Sequence, residues 1–142
     1  MYRDILLPID LNDVETQEKA LGTAIACAKT FGARLRVMTV VPDFGVGMVR
    51  SFFPADYQDK AVAETKERLE AYVREKLPED LRAEPVVSHG SIHGEIVRFA
   101  RETKADLIVM ASHRPGLSDY LLGPNAEWVV RHAACSVRVV RD

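Results

Sequence analysis

The segment ADLIVMA, Ala105 to Ala111, restricts the fold more than any other stretch of this chain. Apart from Asp106 it is continuously apolar. A strand with one wet face alternates apolar and polar residues, whereas one covered on both faces reads as an unbroken apolar run. Covering a strand on both faces requires helices above and below the sheet, and four more short apolar runs supply candidate neighbours. They are DILLPI (Asp4 to Ile9), RLRVMTVV (Arg34 to Val41), EPVVSHG (Glu84 to Gly90) and SVRVV (Ser136 to Val140).

The intervening segments carry helical spacing. From Val14 to Phe31 the apolar set is Leu21, Ala24, Ile25, Ala28 and Phe31, stopped by Gly32. Val62, Leu69, Tyr72, Val73 and Leu77 mark a second helix that Pro78 ends. Ile92, Ile96, Phe99 and Ala100 mark a third, and a last helix spans Asn125 to His132. Residues 42–57 read as a long apolar loop. Alternation of strand and helix predicts a doubly wound α/β fold, a five-stranded parallel sheet with helices on both faces. At 142 residues, without repeat or linker, the chain is expected to form one domain spanning 1–142.

Composition removes several function classes. A formal net charge of -2 gives no polyanion-binding surface, so no nucleic-acid partner is expected. MYRDILLPID is too short an apolar stretch for a signal peptide, and nowhere do enough apolar residues run together for a membrane span. Cys27 and Cys135 have neither metal-ligand nor Cys-x-x-Cys spacing. They read as reduced, buried thiols of a cytoplasmic protein.

Open parallel sheets bind ligands beyond the carboxyl ends of their strands, where strand order reverses. Past the first strand lie Pro8, Ile9 and Asp10, and past the second Val40, Val41 and Pro42. Past the fourth lie Ala111, Ser112, His113 and Arg114. Polar groups therefore gather after the first and fourth strands. The helix beginning near Asn125 adds unpaired N–H groups and a partial positive charge, and Gly123 before it permits close approach of a ligand. Each piece alone is ordinary loop construction; Gly-Pro before a helix is common turn chemistry. Their joint placement makes an anion seat the better reading, with Arg114 the stronger phosphate partner.

Other chemistries lack their residues. No Gly-x-x-x-x-Gly-Lys-Ser/Thr loop or Gly-x-Gly-x-x-Gly fingerprint occurs, and FGVGM precedes no clear helix. His89 and His93 cross from strand to helix around Gly90 with no acidic third ligand, so no metal site is expected. Asp10 and Asp13 would suit a phospho-acceptor pocket only with an Asp after the third strand, where Ser88, His89 and Gly90 stand. No Ser-Gly-Gly-x-Ser loop of an adenylating enzyme follows the first strand.

The residues ASHRP, YLLGPNAEW and VVRHAACSV, with ILLPID and HGEIVRFARETKADLIVMAS, resemble the universal stress protein family along the whole chain. The resemblance is greatest to small bacterial members of the F type. It implies a sheet of order 3-2-1-4-5, an adenine nucleotide alpha hydrolase-like fold, and a homodimer. The dimer would pair the last strand with its own copy, Val137 and Val139 central. It also implies binding of ATP or another adenine nucleotide, with Mg²⁺ on the phosphates. Carried over by position, Pro8, Ile9, Asp10 and Val40 would meet adenosine. Ala111, Ser112, His113, Arg114, Gly123, Pro124, Asn125 and Ala126 would meet phosphates, with Met110 at the end of the fourth strand. Asp10 would face adenine or ribose, since a carboxylate repels phosphate.

The chain departs from the family's Gly-x2-Gly-x9-Gly-Ser/Thr pattern. Ala111 replaces the first glycine, the second is missing from HRPG, and Pro124 replaces the Ser/Thr. The resemblance implies a stress-response sensor or regulator rather than an enzyme. The alternatives are a nucleotide-free interaction dimer and a slow ATPase, for which His113 is the only candidate base.

Overall fold

A computed structural model describes residues 1–42, 57–112 and 123–141. At its centre, β1 (Asp4–Pro8) lies between β2 (Arg34–Pro42) and β4 (Leu107–Ser112), parallel to both. β3 (Glu84–Gly90) and β5 (Ser136–Arg141) occupy the two edges. The order is β3-β2-β1-β4-β5, all parallel, as the family resemblance implied.

The apolar runs divide by parity between two cores. Ile5 and Leu7 of β1, with Leu107 and Val109 of β4, pack against α1 (Glu18–Phe31) and α2 (Tyr57–Lys76). Leu6, Ile108 and Met110 turn the other way, against α3 (Ile92–Glu102) and α4 (Pro124–His132). This is the two-residue period of a strand with both faces covered. Leu7 and Ile108 are fully buried, one in each core, and truncating either to Ala costs about 2–5 kcal/mol.

Asp106, the polar exception in ADLIVMA, has a defined task at the amino ends of β1 and β4. Its carboxylate accepts from the backbone N–H groups of Arg3 at 2.9 Å and Asp4 at 3.1 Å. Its own N–H donates to the Asp4 carbonyl at 2.9 Å. This lock sets Ile5 opposite Leu107.

α1 brings Ala20, Ala24 and Ala28 against the sheet at a spacing of four, so the helix approaches closely. Gly32 ends it in the left-handed conformation at φ 61°, donating its N–H to the Ala28 carbonyl. The helix begins later than its apolar pattern suggests, because Val14–Gln17 forms a separate 3₁₀ turn. The Asp13 carbonyl in that turn accepts from Gln17 Nε2 at 2.6 Å and Thr16 Oγ1 at 3.0 Å. Those side-chain bonds compete with the α-helical pattern.

The cysteines are only half-buried, which corrects their expected burial. Each lies at the margin of a core, Cys27 on α1 and Cys135 before β5, and both are free thiols. Burial still pushes the Cys135 thiol up from its ordinary value, with Asp106 nearby acting in the same direction. Residues 43–56, most of the expected loop and all of FGVGM, lie outside the described residues. Among the described residues no helix is long and apolar enough to cross a membrane.

Candidate functional site

A cleft of about 490 Å³ opens at the carboxyl ends of the central strands. Its floor is formed by the ends of β1, β2 and β4: Pro8 and Ile9, Met38 to Pro42, then Met110 and Ala111. One side is the loop Asp10–Asp13 with α2, and the other is the start of α3 with Gly123, Pro124, Asn125 and Ala126 of α4. β1 connects outward through β2, whereas β4 lies on its other side, so this is where strand order reverses.

The β1 wall is fixed by hydrogen bonds. Ile9 donates its N–H to the Met38 carbonyl at 2.8 Å, and its carbonyl accepts from Thr39 Oγ1 at 3.0 Å. Asp10 is held next to it by Gln17, whose Oε1 accepts the Asp10 N–H at 2.7 Å while Nε2 donates to the Asp10 carbonyl at 2.9 Å. Gln17 and Thr39 are buried, so these bonds form in surroundings where an unmade bond is costly. The Asp10 side chain is exposed. Its Oδ1 accepts from the Asn12 N–H at 2.9 Å, the self-bonded turn that short acidic residues favour. Among the described residues the second carboxylate oxygen takes no hydrogen bond, and Asp10 lines the cleft wall.

The opposite wall is the amino terminus of α4. Gly123 caps it in extended backbone and contributes no side-chain cap. Pro124 occupies the first helical turn, where its missing N–H breaks no helical bond. Glu127 donates its N–H to the Gly123 carbonyl at 2.9 Å. Asn125 and Ala126 therefore carry the first-turn N–H groups that no helical carbonyl takes.

Ten of the thirteen residues singled out from the sequence share this cleft: Pro8, Ile9, Asp10, Val40, Met110, Ala111, Gly123, Pro124, Asn125 and Ala126. Ser112, the last residue of β4, is buried, and its Oγ accepts from the Gly123 N–H at 3.4 Å. That contact joins the end of β4 to the cap of α4. His113 and Arg114 lie outside the described residues.

The structure adds residues that sequence reasoning missed. Arg68 reaches from α2 to the Leu11 carbonyl at 3.2 Å and Asn12 Oδ1 at 3.3 Å, placing a guanidinium on the cleft wall with Glu64 and Thr65. Ile92 and Ile96 add apolar surface. Thr39 had left a trace, being the one hydroxyl within the apolar part of the second strand. Arg68 had none, because only tertiary packing of α2 brings it here.

His93 is engaged with α4. Its Nδ1 lies 3.3 Å from Asn125 Oδ1, and its ring sits 4.4 Å from that of Trp128. Among the described residues, no group of three His, Cys, Asp or Glu side chains is placed to hold a metal ion.

The fold and cleft define a class, the doubly wound α/β proteins with a ligand-sized cleft at the switch point of a parallel sheet. Within that class the chain belongs to the universal stress protein family, whose pattern it matches over residues 1–141. It is 33% identical to universal stress protein G of Escherichia coli O157:H7, the match covering 99% of this chain and all of that protein. A solved protein of Methanocaldococcus jannaschii superposes with a TM-score of 0.79 at 29% identity, covering 100% of this chain and 97% of that one. A universal stress protein solved in complex with cAMP has the same fold. Its TM-score is 0.67 at 23% identity, covering 98% and 97% of the two chains.

Proposed function

We propose that this protein binds an adenine nucleotide in the cleft and acts as a dimeric, cytoplasmic stress-response sensor or regulator. The ligand is ATP, ADP or AMP, with Mg²⁺ carried on the phosphates when more than one is present. The carrying observation is the convergence of three strand ends and the α4 amino terminus on one cleft at the switch point.

The two ends of the cleft suit the two ends of a nucleotide. Asp10 offers a carboxylate to ribose hydroxyls or the adenine edge, over an apolar floor of Val40 and Met110. The far end offers the Asn125 and Ala126 N–H groups and the positive pole of α4 to phosphates. His113 and Arg114 follow β4 directly in sequence, and their role in this reading is to add donors and charge to the phosphates. The same fold carries cAMP in one solved universal stress protein.

Mass spectrometry of protein purified under native conditions tests the reading through carried-over nucleotide. Calorimetric titration with ATP, ADP, AMP and adenosine, with and without Mg²⁺, then ranks the ligands. Arg114→Ala is expected to weaken ATP more than adenosine. Absence of both heat and thermal shift at millimolar ATP would favour the nucleotide-free interaction dimer.

A further inference from the structure

The polar contact between α3 and α4 at the rim of the cleft has a consequence for ligand binding. Asn125 is the second residue of α4, lines the cleft and is half-buried. An asparagine amide has two chemically opposite ends, an acceptor oxygen and a donor NH₂, and its partners decide which end is left for a ligand. Here Asn125 Oδ1 faces His93 Nδ1 at 3.3 Å.

We propose that His93 is a positioning residue for phosphate. Its Nδ1–H holds Asn125 Oδ1, so the Asn125 Nδ2 amide is the end left to donate to the ligand, in place of the hydroxyl that Pro124 lacks. This role rests on the nucleotide reading. The opposite pairing, an unprotonated Nδ1 accepting from the amide, would leave Oδ1 for the ligand and repel phosphate. The imidazole tautomer therefore decides whether this position attracts phosphate or rejects it.

The ring is well placed to hold the contact. His93 packs against Trp128 with ring centres 4.4 Å apart, and Trp128 stacks on His132 at 3.8 Å. His132 Nδ1 is in turn 2.8 Å from the Trp128 carbonyl. Three rings from α3 and α4 thus form one column, and the column fixes where His93 meets the first turn of α4. Gly94, the next residue on α3, donates its N–H to Ser91 Oγ at 3.4 Å, which caps the helix that presents His93.

Two measurements test the role. Long-range proton–nitrogen spectra of the ligand-free protein above pH ~8, where an ordinary imidazole is neutral, are expected to show His93 as the Nδ1–H tautomer. Asn125→Ala should return it toward the Nε2–H form that free imidazole side chains favour. An Nε2–H tautomer in the unmodified protein overturns the proposal.

His93→Phe keeps a ring against Trp128 and removes only the polar contact. ATP affinity is expected to fall about three- to tenfold with adenosine affinity unchanged. Adding Asn125→Ala should cost little more, since both changes remove one donor. Equal losses for ATP and adenosine, or no loss for either, would make His93 a packing residue only. An unmodified protein that binds neither ligand overturns the nucleotide reading and this role with it. Binding of ATP that His93→Phe leaves untouched overturns this role alone.

Discussion

The side-chain amide of Gln17 grips the backbone of Asp10 at both ends, Oε1 taking its N–H at 2.7 Å and Nε2 giving to its carbonyl at 2.9 Å. A buried side chain seven residues downstream thus sets where the Asp10 carboxylate stands. Gln17→Ala leaves the Asp10 N–H without its partner, whereas the two carbonyls keep other donors, the Asp13 N–H and Thr16 Oγ1. The expected loss is about 1–3 kcal/mol of stability, together with weaker binding of every ligand that carries adenosine. Thermal melts and adenosine calorimetry check both effects. A variant that melts like the unmodified protein and binds adenosine equally would show that the grip is dispensable.

Glu95 gives a pH-dependent contribution near the cleft. Two nitrogens of Arg98 reach its carboxylate at 2.7 and 2.9 Å, and Ser88 Oγ also donates to it. The Arg98 hydrogen bonds, with help from Ser88 and His89, hold the carboxyl below its ordinary 4.5 despite some burial. A group depressed in this way stabilises the fold above its unfolded pKa and loses that contribution as pH falls through its folded pKa. Glu95→Gln is therefore expected to cost roughly 0.5–1 kcal/mol at pH ~7, with the difference closing toward pH ~2. Urea denaturation of both proteins across that range checks it, and a difference independent of pH would assign the loss to packing.

Much of this architecture was legible because its signals are local. The parity of Ile5, Leu6 and Leu7, the unbroken LIVM of β4 and the glycine stop at Gly32 each follow from neighbouring residues. The lining of the switch-point cleft was legible for the same reason, since Pro8 to Asp10 and Gly123 to Ala126 flank elements that the pattern defines. What stayed hidden depends on distant partners. Arg68 reaches the cleft only because α2 packs across β2 and β3, and His93 meets Asn125 only because α3 and α4 are neighbours on one face. The short turn before α1 escaped because Gln17 bonds backward to Asp10 and Asp13, a contact that apolar spacing does not encode.

β5 lies at the sheet edge, paired with β4 on one side, Met110 opposite Val139. Val137 and Val139 are half-buried against the core beneath α3 and α4, so their side chains already serve the monomer. Pairing of two copies would instead use the outer backbone edge, antiparallel about a two-fold axis. Neighbouring residues of a strand direct their N–H groups to opposite edges. Of Val139→Pro and Arg138→Pro, one therefore removes an outer donor and the other a donor to β4. The expected outcome is a dimer for the unmodified protein and a folded monomer for one variant, with reduced stability in the other. Light scattering with thermal melts distinguishes these, and a monomeric unmodified protein at micromolar concentration would end the proposal.

Pro124 is where this chain differs most usefully from the Gly-Ser/Thr pattern of its family. In the first turn of α4 it lines the cleft but supplies neither N–H nor hydroxyl. Each missing bond to a charged phosphate oxygen is worth about 1.5–3 kcal/mol, roughly ten- to over a hundredfold in affinity. The Asn125 and Ala126 N–H groups remain, so phosphate binding should persist in weakened form. The adenosine contacts proposed near Asp10 involve other elements and are not expected to change. Pro124→Ser is therefore expected to tighten ATP by about tenfold or more while leaving AMP nearly unaltered. The first-turn position tolerates serine well, so stability should move little. Calorimetry with ATP and AMP on both proteins reads the difference directly. If serine tightens both nucleotides alike, or neither, residue 124 does not meet the outer phosphates. The nucleotide would then lie in the cleft in another orientation.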